Sequence, residues 1–328
     1  MAGPPSPANP STTSITTATT TTTVIRPSTA LALLPATLTP KPLLKTGIPQ
    51  LDDHILLGGF PEGAVIGLST EDEDLGLALG LQTLSNFISS SSTTTSQPTK
   101  AIIITTLPVQ SILFALRKLL IGALLGSGSG SGSATIVDRD QVKQCLSRIS
   151  ISRVFDVRGL EEVLTELESQ QRRPEEEEEG DPPAAEMVLV ASVPALLGSL
   201  LGTATGMKER AEAIESVGVL GERLRGLKRT VLLVNSVNAS MRAGEGEGVF
   251  SGERQGRGST KRPAYGQVFG RLVDLHLMGS RVLSEKGDSV WIVEVLVDEV
   301  GLYDLERMDR SDREGRWGVV DFEGGVVK

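Results

Sequence analysis

Short apolar runs alternating with segments of helical period limit this chain's fold more tightly than any other feature. The runs are AVIGL (64–68), AIIIT (101–105), RVFDV (153–157), MVLVA (187–191), TVLLVN (230–235) and LVDLHLM (272–278). Between them, Leu160, Val163, Leu164 and Leu167 recur at i, i+3, i+4 and i+7, and Ile112, Leu113, Leu116 and Leu120 follow the same helical rhythm. Apolar strands separated by amphipathic helices pack as a mostly parallel sheet covered on both faces. The rhythm then changes. SVWIVEVLVDEVGLYDL and WGVVDFEGGVVK read as strands with no long helix between them, which predicts a small antiparallel edge at the C-terminal end.

With 328 residues, 39% apolar and only 3% aromatic, the core is expected to be aliphatic. Residues 1–40 are rich in Pro, Thr and Ser and almost uncharged, so they bury too little to offset ordering entropy and read as a disordered tail. Residues 41–328 read as one domain. Flexible insertions interrupt it near 126–133 (GSGSGSGS), 170–183 (QQRRPEEEEEGDPP) and 240–262.

Several functional classes are disfavoured. A net charge of -9 argues against indiscriminate nucleic-acid binding, which needs a basic face. One cysteine, Cys145, excludes an internal disulfide framework and a cysteine-rich zinc site. The two histidines, His54 and His276, read as structural or surface residues, so no metal is expected. No run approaches the roughly 18 apolar residues of a membrane span. The N-terminal stretch lacks the basic-then-apolar layout of a secretory signal, so a soluble intracellular chain is expected.

Four segments, in order, resemble the core of RecA-like recombinases, specifically the eukaryotic and archaeal recombinases and their paralogues. TGIPQLDDHILLGGFPEGAV (46–65) is similar to the family's TGxxxLDxxLGGGxxxGxx segment leading into the first core strand. SRVFDVRGLEEVLTEL (152–167) resembles the strand and helix after the central insertion. TVLLVNSVNA (230–239) resembles the strand before the mobile DNA-facing loop, and KRPAYGQVFGRLVDLHLMGSRV (261–282) the stretch after it. The resemblance spans roughly 46–300 and implies a RecA-like P-loop NTPase fold with a mostly parallel, doubly wound sheet.

That register exposes the nucleotide site to inspection. A phosphate loop reads GxxxxGKS or GxxxxGKT: its backbone N–H groups surround the phosphates, its lysine reaches the terminal ones and its hydroxyl ligates magnesium. In LSTEDEDLGLALGLQ (68–82), Thr70 falls at the first glycine, Leu75 at the second, Gly76 at the lysine and Leu77 at the hydroxyl. The family's water-activating glutamate aligns with Leu107, and its magnesium-holding aspartate with Ala191, beside Ser192. Glu71, Asp72, Glu73 and Asp74 put negative charge where phosphate would lie, and each like-charge contact at ~4 Å costs about 4 kcal/mol at an effective dielectric near 20. The four carboxylates are contiguous and lack the alternate spacing of a calcium loop. They suit the first turn of a helix, whose dipole favours acidic residues. The expectation is a degenerate ATPase core with no cofactor, its turn capped by its own carboxylates.

The segment NASMRAGEGEGVFSGERQGRGSTKRPAYG (238–266) lies where the family's second DNA-facing loop lies. Arg242, Arg254, Arg257, Lys261 and Arg262 outnumber Glu245, Glu247 and Glu253, a small basic surplus suited to weak, salt-sensitive contact with single-stranded DNA or a partner. RecA-like cores assemble head to tail with nucleotide at the interface. A core without its own nucleotide site is then implied to be a regulatory partner of recombinase or paralogue subunits in a hetero-oligomer. The expected setting is homologous recombination and repair in the nucleus. The family's aromatic assembly motif is not evident before Phe60, the first aromatic of the chain. Lys261 and Arg262 open the segment that the family uses across its interface, which makes them candidates for completing a neighbour's ATP site. The alternative is a structural subunit of the Elongator complex of transfer-RNA wobble modification, whose RecA-like cores also lack phosphate loops.

Overall fold

The computed structural model describes residues 43–90, 99–126, 139–171, 186–240, 260–283, 289–302, 317–323 and 325–327. The N-terminal tail and most of each of the three expected insertions lie outside the described residues. The chain divides into two units at Lys41/Pro42, and every described element belongs to the second.

A short pair, β1 (Leu43–Leu44) and β2 (Phe60–Pro61), brackets a π-helical turn over Gln50–Ile55. The core then alternates: β3 (Val65–Thr70), α1 (Glu73–Ser90), β4 (Lys100–Thr105), α2 (Val109–Gly126), α3 (Arg139–Ser147), β5 (Ile149–Arg153), α4 (Val157–Gln171). It continues with β6 (Glu186–Ala191), α5 (Val193–Leu201), α6 (Met207–Gly226), β7 (Thr230–Ser240), β8 (Thr260–Pro263), α7 (Gly266–Gly270), β9 (Leu275–Leu283) and β10 (Ser289–Asp298). It closes with β11 (Trp317–Val320), β12 (Phe322–Glu323) and β13 (Val326–Val327).

The main sheet has the order β11-β10-β9-β3-β7-β6-β4-β5. The six strands from β9 to β5 run parallel, while β10 and β11 add an antiparallel edge and β8 pairs antiparallel with the far end of β7. This is the mostly parallel α/β sheet with an antiparallel C-terminal edge that the alternation predicts.

Strand pleating divides the core into two apolar layers. Ile66, Leu68, Ala101, Ile103, Met187, Leu189, Leu232 and Val234 face the layer of α1 and α2. Their neighbours Val65, Ile102, Ile104, Val188, Val190, Val231 and Leu233 face the layer of α4, α5, α6 and α7. Each fully buried side chain of this kind contributes about 1.5–3 kcal/mol. Both faces are covered, which is why these strands read as unbroken apolar runs and not as alternating ones.

The TGIPQLDD segment is a clasp. The Asp52 carboxylate accepts from the Thr46 N–H and hydroxyl, both at 2.9 Å, and from the Gly47 N–H at 3.1 Å. Leu51 and Ile55 of the same turn enter the core beside Phe60. Gly59 sits at φ 134°, with a Cβ there only 2.5 Å from the Leu44 carbonyl oxygen, so this bend requires glycine.

Three sequence expectations are corrected. The strand expected at 153–157 lies at Ile149–Arg153, and Val157 already opens α4. β5 is an edge strand whose side chains are half-buried or exposed, so its apolar signal is weak, while the apolar residues after it serve a turn and a helix. The strand expected from Leu272 begins at Leu275; Leu272 and Val273 instead pack into the layer beneath α7. Leu113, placed on the buried stripe of α2, is 42% exposed, beside Phe114 at 78%.

Candidate functional site

Strand β3 ends at Thr70, and the chain turns through Glu71 and Asp72 into α1. The turn is held by its own groups. The Thr70 hydroxyl donates to the Asp72 carbonyl at 2.8 Å, and the Asp74 N–H donates to the Asp72 carboxylate at 2.9 Å. The Gly76 N–H reaches the Asp72 carbonyl at 3.3 Å. Asp72 therefore caps the first turn of α1, as expected of an acidic helix start.

Glu71 leaves this turn in the opposite direction. Its carboxylate meets the Lys261 ammonium at 2.5 Å and accepts the Arg281 N–H at 3.1 Å. Lys261 also donates to the Arg281 carbonyl at 2.9 Å, and the Glu71 N–H donates to the Gly279 carbonyl at 3.2 Å. The turn after β3 is thereby tied to both β8 and β9.

The six positions aligned with nucleotide chemistry fall into two groups. Thr70, Leu75 and Gly76 are buried and form the wall of the turn. Gly76 lies so close to β3 and β7 that an added Cβ would stand 2.5 Å from the Thr70 hydroxyl oxygen and 3.0 Å from a Val234 methyl. Leu77, Leu107 and Ala191 come together on a cavity of about 260 Å³ bounded by the start of α1, the carboxyl ends of β4 and β6 and the middle of β7. Ser192, Val234 and Asn235 also line it, and Glu73 and Asp74 stand at it as exposed carboxylates. Ser192 holds a left-handed backbone (φ 70°, ψ 41°) at the start of α5, an uncommon conformation for a residue with a side chain.

Beneath the cavity runs a buried polar line that the sequence did not signal. The Asn235 amide donates to the Ser69 hydroxyl at 2.9 Å and to the Ala264 carbonyl at 3.1 Å. Ser69 Oγ lies 2.8 Å from His276 Nε2. Burial pushes the His276 pKa down to about 4, so the ring is neutral at neutral pH. Its edge packs against Phe269, with ring centroids 5.1 Å apart. Ser69 directly follows the apolar run of β3 and carries no mark of this role in the sequence; only the pairing of β3 with β7 and β9 brings its partners to it.

Of the basic residues assigned to the loop, Arg242, Arg254 and Arg257 lie outside the described residues. Lys261 and Arg262 fall on β8, opposite Ala239 and Asn238. Lys261 is engaged by Glu71 and the Arg281 carbonyl, whereas Arg262 is exposed. Among the described residues no group of three His, Cys, Asp or Glu side chains is placed to hold a metal, and no helix is long and apolar enough to cross a membrane.

No family model matches the chain, and no curated protein matches it. Among solved structures, the crystal structure of the RadB recombinase is similar, with a TM-score of 0.49 and 16% identity over 87% of this chain and 98% of that one. At that identity and score the likeness carries no assignment of activity.

Proposed function

We propose that this chain is a non-catalytic, RecA-like recombinase paralogue: a regulatory subunit that binds recombinase or paralogue subunits in homologous recombination and DNA repair. The observation that carries the reading is the closed turn after β3. Where a phosphate loop would offer backbone N–H groups and a lysine, this turn spends its groups on Asp72 and ties Glu71 to Lys261 and Arg281. The hydroxyl, glutamate and aspartate positions are Leu77, Leu107 and Ala191, three apolar side chains around one small cavity. Carboxylates at its rim oppose a triphosphate, so the chain neither binds ATP productively nor turns it over. What such a core retains is surface for a related subunit.

In this reading the chain works in the nucleus, and the 238–266 segment touches single-stranded DNA weakly beside a stronger protein contact. Among the described residues of that segment, Arg262 is the basic side chain left to reach a neighbour, because it is exposed while Lys261 is occupied within the chain. The reading is tested by purifying the tagged protein from its native cells after nuclease treatment and identifying what accompanies it by mass spectrometry. Stoichiometric recombinase or paralogue subunits are expected. Recovery of Elongator subunits in their place would replace recombination with transfer-RNA modification.

A further inference from the structure

We propose that the cavity beside α1 is a receptor for one arginine side chain of a partner protein, seated where a nucleotide would otherwise lie. This rests on the reading that the chain docks a partner, and it assigns the chemistry of the contact.

Three independent observations converge. The first is size and lining. About 260 Å³ falls below the roughly 300–1,000 Å³ typical of small-molecule sites and corresponds to about nine waters. Leu77, Leu107, Ala191 and Val234 give it an apolar side suited to the methylene stem of a long basic side chain, and Thr106, Ser192, Asn235 and Ser236 give it a polar one.

The second is charge. Glu73 and Asp74 stand at the cavity as exposed carboxylates, and among the described residues neither has an ion-pair partner. Glu71, by contrast, is neutralised by Lys261. Two unpaired carboxylates beside an apolar hollow select a cation and repel phosphate.

The third is an unmet acceptor. Asn235 is 1% exposed and lines the cavity, and both of its hydrogen bonds use its NH₂ group. Among the described residues its Oδ1 has no partner. A buried acceptor of this kind is costly unless a donor arrives. A guanidinium has five N–H donors in a planar fork, enough to serve Oδ1 and the rim carboxylates together, which a single ammonium does less well.

The test is methyl NMR on the full chain, following Leu77, Leu107 and Val234 while N-acetyl-arginine N-methylamide is added. The uncharged citrulline analogue and inorganic pyrophosphate serve as comparators. Saturable shifts confined to these methyls are expected, weaker by at least about tenfold with citrulline and in the Glu73→Gln, Asp74→Asn double variant. Both substitutions are at exposed positions, so the fold is retained. Equal binding of citrulline, binding of pyrophosphate at the same methyls, or no saturable shift with arginine would overturn the proposal. Repeating the affinity purification with the double variant separates this claim from the functional one. Recombinase recovered undiminished leaves the regulatory reading standing and removes the receptor. Arginine binding with no recombinase recovered does the reverse.

Discussion

Glu71 and Lys261 form an ion pair that joins the turn after β3 to strand β8, with a separation of 2.5 Å. Side-chain exposure of 24% for the glutamate and 34% for the lysine makes it a partly screened contact, stabilising by about 1 kcal/mol. Its importance is positional. It engages the Glu71 carboxylate and the Lys261 ammonium with each other, and so fixes the turn against β8.

A double-mutant cycle measures this directly. Glu71→Gln and Lys261→Met should each lower stability by about 1 kcal/mol, with a coupling of about 0.5–1 kcal/mol in denaturant unfolding. Additive losses would mean that the two residues act independently.

Restoring the phosphate-loop lysine should not restore an ATPase. Gly76→Lys places a Cβ against the Thr70 hydroxyl and a Val234 methyl, both buried, and should cost about 1–3 kcal/mol. Thermal melting together with a steady-state ATPase assay checks both halves. A stable, hydrolytically active variant would show that the turn opens readily.

The Asp52 clasp predicts a larger effect. Asp52→Ala strands the Thr46 N–H, the Thr46 hydroxyl and the Gly47 N–H and should cost about 2–3 kcal/mol. Chemical denaturation reads it, and a loss below ~0.5 kcal/mol would leave the clasp without energetic weight.

Acid sensitivity should trace in part to His276. Its folded pKa of about 4 lies below the unfolded value near 6.5, so unfolded chains bind the proton more readily between those limits. Its contribution is complete above pH ~6.5, shrinks as pH falls and is gone near pH 4, a range worth on the order of 3 kcal/mol. Glu294, whose carboxyl pKa burial pushes up, works in the opposite direction, so the comparison is between the wild type and His276→Gln. The variant should lose less stability between pH 7 and pH 5 than the wild type, by urea unfolding. Identical pH slopes would contradict the assignment.

Much of this architecture is legible in the sequence because strand pleating and helical period leave direct marks. AIIIT and MVLVA coincide with β4 and β6 to within a residue, as two-sided burial demands. Legibility fails where a residue's role depends on a distant strand. Lys261 reads as a free cation until β8 is seen beside the turn that carries Glu71. Ser69, Asn235 and His276 read as isolated polar residues until the parallel register of β3 with β7 and β9 aligns them. Leu107 and Ala191 are placed opposite Leu77 by the resemblance alone. Periodicity says nothing of the cavity they share.

A titration of the purified chain with magnesium-ATP tests most directly the proposal that the turn after β3 is given over to internal contacts and takes no nucleotide. Calorimetry should show no saturable binding up to about 1 mM, an affinity weaker than roughly -4 kcal/mol. Saturable binding that shifts the methyls of Leu77 and Leu107 would contradict it and restore the cavity to a nucleotide.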